Sequence, residues 1–264
     1  MTLHHKVRGD GPAVLLVHAG VADGRMWTAF AERVAAAGYR VIVPDLQGFG
    51  RTPLAPGTVS HPADLVALLD DLGVDRATVV GASFGGFISL ALALRALERV
   101  AGLVLIDAAL DEFEPSHDLA TFDAAEETAL EAGDLDAAVE LNVRFWVDRT
   151  GRRDPADVDP AVRELVATMQ RDAFQAQIGV DAELEKLDPP VARRLGEITA
   201  PALVVAGADD VEDFVAIARR LADELPRARE VVTVARAAHL PALERPAEVA
   251  EHVLGFLQAP PAAA

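Results

Sequence analysis

The chain has 264 residues, of which 51% are hydrophobic and 25% charged, so it can fill the core of one α/β domain with an insertion. Its 42 acidic and 24 basic residues give a formal net charge of −18, which argues against nucleic acid and anionic membrane surfaces as partners. It contains no cysteine, so disulfides, thiol catalysis and cysteine metal sites are excluded. The polar N-terminus has no apolar signal segment, and we expect a cytoplasmic protein.

In chain order, short apolar runs alternate with segments of helical periodicity. The runs predict strands at 13–17, 40–43, 77–80, 100–106, 202–206 and 230–234, and the more polar stretch 3–7 is expected to form a short edge strand. The periodic segments predict helices at 26–37, 62–72, 84–94, 213–225 and 247–257. Ser60 or His61 is expected to cap the second of these helices, and the tail 259–264 to be disordered. This alternation predicts a mostly parallel sheet covered by helices on both faces.

The pattern changes over 109–197, which is charged, mostly helical and without a convincing strand. This segment leaves the predicted sheet after Ile106, at the carboxyl end of a strand, where working sites of such sheets lie. We therefore expect a core domain made of 1–108 and 198–264, and a helical cap or lid made of 109–197 that covers the site.

The stretch Gly81-Ala82-Ser83-Phe84-Gly85 joins a predicted buried strand to a predicted helix. A serine on such a sharp turn has a strained backbone and presents its hydroxyl at the rim of the sheet. The residues two before and two after it approach closely, which requires the two glycines. The pattern alone is weak, but its position between strand and helix makes Ser83 a candidate nucleophile.

A serine nucleophile needs a base and an acid that orients the base. His239 follows the last predicted strand and so reaches the same rim, whereas His18, which also ends a strand, is better interpreted as hydrogen-bonding to loop backbone. Acidic residues follow the strand 202–206, and one of them is suited to orient the base. Asp107, after the strand that follows the nucleophile, is the competing candidate.

Together these residues resemble the α/β-hydrolase fold family, in its serine-dependent haloperoxidase, esterase and lactonase branch. The similarity runs from about Ala13 to the last helix, except in the insertion. It implies that Ser83 is the nucleophile, that Asp210, ending a Gly-x-x-Asp motif, is the acid, and that His239 is the base. It also implies an oxyanion hole formed by the N–H groups of Phe84 and Gly20, with Val21 as the alternative to Gly20.

The sequence departs from the family pattern in two loops. His18-Ala19-Gly20 stands where the family has His-Gly-x, and Gln47 replaces a common arginine in the loop that begins at Asp45. The ion pair that such an arginine would make is therefore missing. The N-terminus is short, so the first edge strand of the full eight-stranded sheet is expected to be absent. A serine at position 83 argues against haloalkane dehalogenases and epoxide hydrolases, which use aspartate.

The resemblance implies a cofactor-free serine hydrolase that acts on a small carboxylic ester or lactone. Phe145 and Trp146 in the insertion are the candidate substrate-binding residues, with packing among the lid's own helices as the alternative. Carbon–carbon bond hydrolysis and perhydrolysis could use the same triad. A receptor-like protein that binds a small ligand without turnover is the alternative from a different class. The sequence leaves the natural substrate and the oligomeric state open.

Overall fold

A computed structural model describes residues 2–149 and 151–258, so the predicted disordered tail lies outside the described residues. The main sheet contains seven strands: β1 (His5–Arg8), β2 (Ala13–Val17), β3 (Arg40–Pro44), β5 (Ala77–Ala82), β6 (Val100–Ile106), β8 (Ala202–Gly207) and β9 (Val232–Val234). Their order across the sheet is β1-β3-β2-β5-β6-β8-β9. The edge strand β1 pairs antiparallel with β3, and the other neighbours pair in parallel. The mostly parallel sheet predicted from the sequence is confirmed.

The central strands are nearly continuous apolar runs because both faces of the sheet are covered, whereas the edge strand β1 is polar and mostly exposed. In β2, Val14 and Leu16 belong to one buried cluster, and Leu15 and Val17 belong to the other. Successive side chains of a strand point to opposite faces, so each strand supplies both halves of the core.

The described residues form nine α-helices: α1 (Thr28–Ala36), α2 (His61–Asp71), α3 (Phe84–Arg95), α4 (His117–Glu131), α5 (Leu135–Asn142), α6 (Pro160–Gln177), α7 (Glu212–Glu224), α8 (Pro241–Glu244) and α9 (Pro246–Gln258). The apolar side chains of α1 and α9 pack on one face of the sheet, and those of α2 and α3 on the other. The Ser60 hydroxyl caps α2 by accepting a hydrogen bond from the Ala63 N–H at 3.3 Å. Of the two residues predicted to cap this helix, Ser60 is therefore the one that does so.

The segment after β6 contains α4, α5 and α6, with a π-helical stretch at Val143–Asp148 directly after α5. It also contains a short strand, β7 (Ala182–Leu184), which pairs in parallel with β4 (Gly57–Val59) outside the main sheet. The sequence predicts neither strand, because three residues are too few to display an alternating pattern. The division of the chain into a core and a cap stays a prediction.

Each of the described helices is too short or too polar to cross a bilayer.

Candidate active site

Ser83 lies between the end of β5 and the start of α3, with backbone angles φ 50° and ψ −117°. A positive φ is strained for a residue with a side chain and must be stabilised by its surroundings. Here the Ser83 N–H donates to the Ile106 carbonyl at 2.9 Å, and the Ser83 carbonyl accepts from Gly86 at 2.8 Å and from Ala109 at 3.0 Å. These three bonds hold the turn on both sides.

The glycines around Ser83 are required by close backbone approach. A Cβ atom on Gly81 would lie 2.3 Å from the Gly85 carbonyl oxygen, and one on Gly85 would lie 2.3 Å from the Val17 carbonyl oxygen. Non-bonded atoms in a folded protein do not come this close. A side chain on Gly81 would push β5 away from α3, and one on Gly85 would push α3 away from β2. The close approach predicted for the two residues that flank the serine is confirmed.

We expect Gly81→Ala to destabilise the fold by about 2 kcal/mol, in the range of an overpacked core, because the new methyl group meets backbone on α3. Gly255→Ala is the matched control, since Gly255 lies in the exposed part of α9 with nothing within 4 Å of the added Cβ. It should stabilise the protein by about 0.5–1 kcal/mol. Chemical denaturation of both variants measures these changes, and equal effects would contradict the steric account of the turn.

A chain of hydrogen bonds links Ser83, His239 and Asp210. The Ser83 Oγ lies 2.8 Å from His239 Nε2, and the Asp210 Oδ1 and Oδ2 lie 3.1 and 3.0 Å from His239 Nδ1. The side chains of His239 and Asp210 are 2% and 0% exposed. An Nδ1–H that donates to the carboxylate leaves Nε2 free to accept the serine proton. The three residues predicted as a catalytic triad are thus brought together, while their catalytic role stays a prediction.

The two acids considered in the sequence analysis lie on neighbouring strands. Asp210 follows β8 and contacts His239, whereas the hydrogen bonds of the Asp107 carboxyl to described backbone come from the Gly207 N–H, at 3.0 and 3.1 Å. Asp107 is fully buried. Burial, followed by the charge of Asp210, raises the pKa of Asp107 well above its usual range.

Of the residues predicted for the oxyanion hole, Phe84 directly follows Ser83, and Gly20 lies beside Phe84. Gly20 packs against Phe84, since a Cβ on Gly20 would lie 3.5 Å from the Phe84 Cβ. Within the described residues, the N–H groups of Gly20, Val21 and Phe84 donate to no protein acceptor. These N–H groups are therefore free to bind an oxygen of a ligand, and the choice between Gly20 and Val21 stays open.

His18 is held by loop backbone, as predicted. Its Nδ1 lies 2.9 Å from the Ala19 carbonyl oxygen, and its Nε2 accepts from the Leu46 N–H at 3.0 Å. Full burial lowers the pKa of His18, so the neutral ring joins the two loops as one donor and one acceptor. Gln47, in the place of the family arginine, donates to Asp64 at 2.7 Å through its side-chain amide.

The Phe84 ring is surrounded by other rings on the side of α2. Its centroid lies 5.6 Å from that of His61 and 6.4 Å from that of Phe49. Burial, followed by the nearby His18, lowers the pKa of His61 to about 4, so this ring is neutral and acts as part of an apolar wall. The sequence predicts a capping role for His61 and gives no signal of its place beside the serine.

The two candidate substrate-binding aromatics have different surroundings. The Trp146 ring lies 4.3 Å from the His239 ring, tilted by 35°, and the Trp146 carbonyl accepts the His239 N–H at 3.3 Å. Phe145 stacks on Phe122 at 4.3 Å and lines an outer groove with Leu141. Trp146 therefore contacts His239, whereas Phe145 packs among the helices of the insertion, and their role in substrate binding stays a prediction.

Two arginines for which the sequence gives no signal connect the insertion to the loops that hold Asp210 and His239. The Arg149 Nε donates to the Asp209 carbonyl at 3.1 Å. Arg153, whose side chain is 1% exposed, forms an ion pair with Glu244 at 2.6 Å, and Glu244 accepts the Ala238 N–H at 2.9 Å. Both arginines follow the π-helical stretch, so the end of that stretch is fixed to the loops that hold Asp210 and His239.

Comparison with known proteins places this fold in one family. A family model described as alpha/beta hydrolase fold matches residues 12–246, and the chain belongs to this family of hydrolases. It is 34% identical over 237 residues to a Variovorax paradoxus protein named as a carbamate hydrolase, RutD, with 85% of each chain covered.

Two solved structures are also similar. A thermophilic esterase from Thermogutta terrifontis is 26% identical, with a TM-score of 0.76, over 97% of this chain and 93% of the esterase. Est816, described as an N-acyl homoserine lactone degrading enzyme, is 28% identical, with a TM-score of 0.74, over 96% of both chains.

Proposed function

We propose that the protein is a cofactor-independent serine hydrolase that cleaves a small carboxylic ester or lactone. The observation that carries this proposal is the hydrogen-bonded chain from the Ser83 hydroxyl through His239 to Asp210, on a turn with a positive φ at the serine. The similarity to an esterase and to a lactone-degrading enzyme supports the choice of substrate class.

In the first half of the reaction, the Ser83 oxygen attacks the carbonyl carbon while His239 Nε2 accepts the serine proton. The carbonyl oxygen becomes an oxyanion, and the free N–H groups of Phe84 and Gly20 or Val21 are available to stabilise it, at roughly 3 kcal/mol per donor. His239 then gives the proton to the leaving alcohol, and an acyl-enzyme remains. With a lactone, the leaving hydroxyl stays attached to the acyl group.

In the second half, His239 takes a proton from water, and the hydroxide formed attacks the acyl-enzyme carbonyl. Collapse of this second oxyanion returns the proton from His239 to the Ser83 oxygen and releases the acid. Asp210 holds the imidazole with its proton on Nδ1 throughout and stabilises the positive charge that develops twice per turnover. No net proton remains on the protein.

We propose that Phe84 and Trp146 form the walls of the pocket, on opposite sides of the serine. Phe84 directly follows Ser83 and packs on His61, while Trp146 packs on His239. Both surroundings are apolar, which suits an uncharged acyl or alcohol group. Phe145 is proposed to contribute through its packing beside Trp146, at 4.7 Å between ring centroids.

The rival functions make different demands on the same site. Carbon–carbon bond hydrolysis of a vinylogous diketone would use the same triad on an anionic dienoate, and the sequence offers no basic cluster to suit it. Perhydrolysis would use peroxide in place of water at the acyl-enzyme. A receptor-like protein would bind a small ligand and keep it intact.

The test is turnover of p-nitrophenyl acetate and butyrate and of a γ-lactone by the wild-type protein, together with labelling by a fluorophosphonate. We expect labelling and turnover of at least one of the three. Labelling without turnover of any of these substrates would favour the receptor-like function. The absence of both would contradict the proposed mechanism, because the probe requires only an activated serine and access to it.

A further inference from the structure

The outer groove, which Phe145 and Leu141 line, is formed by α4, α5 and the π-helical stretch and has a volume of about 390 Å³. Its apolar wall consists of Phe122, Leu141 and Phe145. The rings of Phe122 and Phe145 stack on each other with an angle of 11° between their planes. None of the three triad residues lines this groove, so it is separate from the candidate active site. A concave surface with an aromatic wall is typical of small-molecule sites.

The charged side chains of the outer groove are mostly basic. Although the chain has 42 acidic and 24 basic residues, Arg144, Arg149 and Arg152 line the groove together with a single acidic residue, Asp118. Asp118 forms an ion pair with Arg152 at 3.0 Å, so the charges of these two residues offset each other. Within residues 2–149 and 151–258, no acid forms an ion pair with Arg144 or Arg149. The groove therefore has an excess of positive charge on a strongly acidic protein.

Arg149 is a buried cation whose hydrogen-bond partners are neutral. It is 8% exposed, and its Nε and Nη1 donate to the carbonyl oxygens of Asp209 and Phe145 at 3.1 and 3.4 Å. Its guanidinium carbon lies 5.4 Å from the centroid of the Phe145 ring. A buried charge that no opposite charge offsets is costly, and a guanidinium has more N–H donors than these two bonds use. The position of Arg149 therefore favours an anion beside it.

An adjoining groove, which Arg149 also lines, is unsuited to an anion. Asp209, Asp210 and Glu212 line it, and their charges would repel a negative group. The outer groove lacks these three acids. An anion in the outer groove meets the charges of Arg149 and Arg144, and the rest of the ligand can cover the aromatic wall.

We propose that the outer groove binds an amphipathic monocarboxylate, whose carboxylate pairs with Arg144 and Arg149 and whose alkyl chain covers the aromatic wall. The planar guanidinium matches the two oxygens of a carboxylate, and removal of the chain from water drives its burial. A saturated acid of about eight to ten carbon atoms has a size that such a groove can hold. Ester or lactone cleavage releases a carboxylate, and this link to the reaction rests on the proposed function, whereas the binding itself does not.

Binding in the outer groove should stabilise the insertion where it meets the histidine loop. Phe145 directly precedes Trp146, whose carbonyl accepts the His239 N–H at 3.3 Å, and Arg149 donates to the Asp209 carbonyl. A carboxylate beside Arg149 offsets its charge in the folded state, where the groove exists. The occupied protein should therefore unfold at a higher temperature than the free protein.

The binding test uses the full-length wild-type protein with octanoate, octanamide and acetate. Isothermal titration calorimetry should show a Kd for octanoate of about 1 mM or tighter, as the size of this ligand allows. Octanamide, which lacks the charge, and acetate, which lacks the chain, should each bind at least about tenfold more weakly. Octanoate should also raise the Tm. Equal affinities for octanoate and octanamide, or no binding of octanoate, would overturn the proposal.

Two variants, Arg144→Gln and Leu141→Asp, locate the bound octanoate. The Arg144 side chain is exposed, and Leu141 is half-buried on α5, so both changes are compatible with the fold. Each should weaken octanoate binding by about tenfold or more, the first by removing a positive charge and the second by adding a negative one. Arg33→Gln is the matched control, since Arg33 is an exposed arginine on α1, outside the groove. Wild-type affinity in Arg144→Gln would contradict the proposal even if Leu141→Asp failed to fold.

Covalent labelling separates the outer groove from the candidate active site, where a carboxylate product would also bind. Protein with a fluorophosphonate attached to Ser83 should bind octanoate within about twofold of the unmodified protein, as expected for independent sites. Loss of binding after labelling would place octanoate in the active site and overturn the proposal. If the proposed function is wrong and the protein does not label, the Arg144→Gln variant and its control still test the groove.

Discussion

Replacing Ser83 by alanine should lower kcat/KM for p-nitrophenyl butyrate by about 10⁴- to 10⁶-fold, as in other serine hydrolases that lose the nucleophile. The Ser83 Oγ is the oxygen that His239 Nε2 can activate, at 2.8 Å, and alanine offers no substitute. Water could still enter the site, and free N–H groups would still bind the oxyanion, so a small residual rate is expected. Steady-state kinetics and fluorophosphonate labelling measure the loss.

Ser89→Ala is the matched control for this variant. Ser89 is also buried on α3, and its hydroxyl donates to the Gly85 carbonyl at 2.6 Å rather than to a histidine. This variant should retain labelling and most of the turnover. The nucleophile assignment would be wrong if Ser83→Ala kept wild-type turnover and labelling, or if Ser89→Ala lost both while remaining folded by circular dichroism.

Asp210→Asn should lower kcat by about 10⁴-fold with little change in the fold, because it reverses the tautomer of the base. The Asp210 carboxylate accepts the hydrogen bond from His239 Nδ1 through both oxygens. The amide of asparagine can instead donate to Nδ1, which places the ring proton on Nε2, facing the Ser83 hydroxyl. A ring in that form cannot accept the serine proton.

Asp209→Asn is the control for Asp210→Asn, because it removes the neighbouring carboxylate. The Asp209 side chain is 29% exposed, and its Oδ2 lies 3.9 Å from Arg153 Nε. We expect its kcat to remain within about threefold of wild type, because Asp209 is a partly exposed charge outside the proposed triad. The acid would be misassigned if Asp210→Asn had near wild-type activity while Asp107→Asn had none. Measurements on the three variants at one pH near neutrality distinguish these outcomes.

Most of the main sheet could be predicted because its central strands are rich in apolar residues and end at polar or glycine-rich loops, whereas the edge strand β1 is polar. The turn at Ser83 was predictable for a steric reason, since the two flanking glycines meet at a distance that excludes a Cβ. The pair of β4 and β7 was not predictable, because each has three residues and the partners are separated by more than a hundred positions. Such a pairing depends on how the insertion returns to the core.

The part of the candidate site that chain topology determines could be predicted from the sequence. Ser83, Asp210 and His239 each follow a strand, and the ends of parallel strands meet at one rim. Topology alone could not choose between Asp107 and Asp210, since both satisfy this condition on adjacent strands. The contacts of Arg149 and Arg153 could not be foreseen either, because no local pattern reports that a π-helical stretch will bring them to the acid and base loops.

The connection between the π-helical stretch and the histidine loop has a mechanical consequence. The Trp146 carbonyl and the Arg153 side chain hold this loop by separate bonds, one at His239 itself and one through Glu244. Any displacement of the stretch away from the sheet must break these bonds and release the loop that carries the base. Admission of a substrate by that route and activation of the serine would then exclude each other in time. The protein would be active only while the π-helical stretch is in place on the sheet. With the stretch displaced, Ser83 would not be activated and would not react with a serine-directed probe.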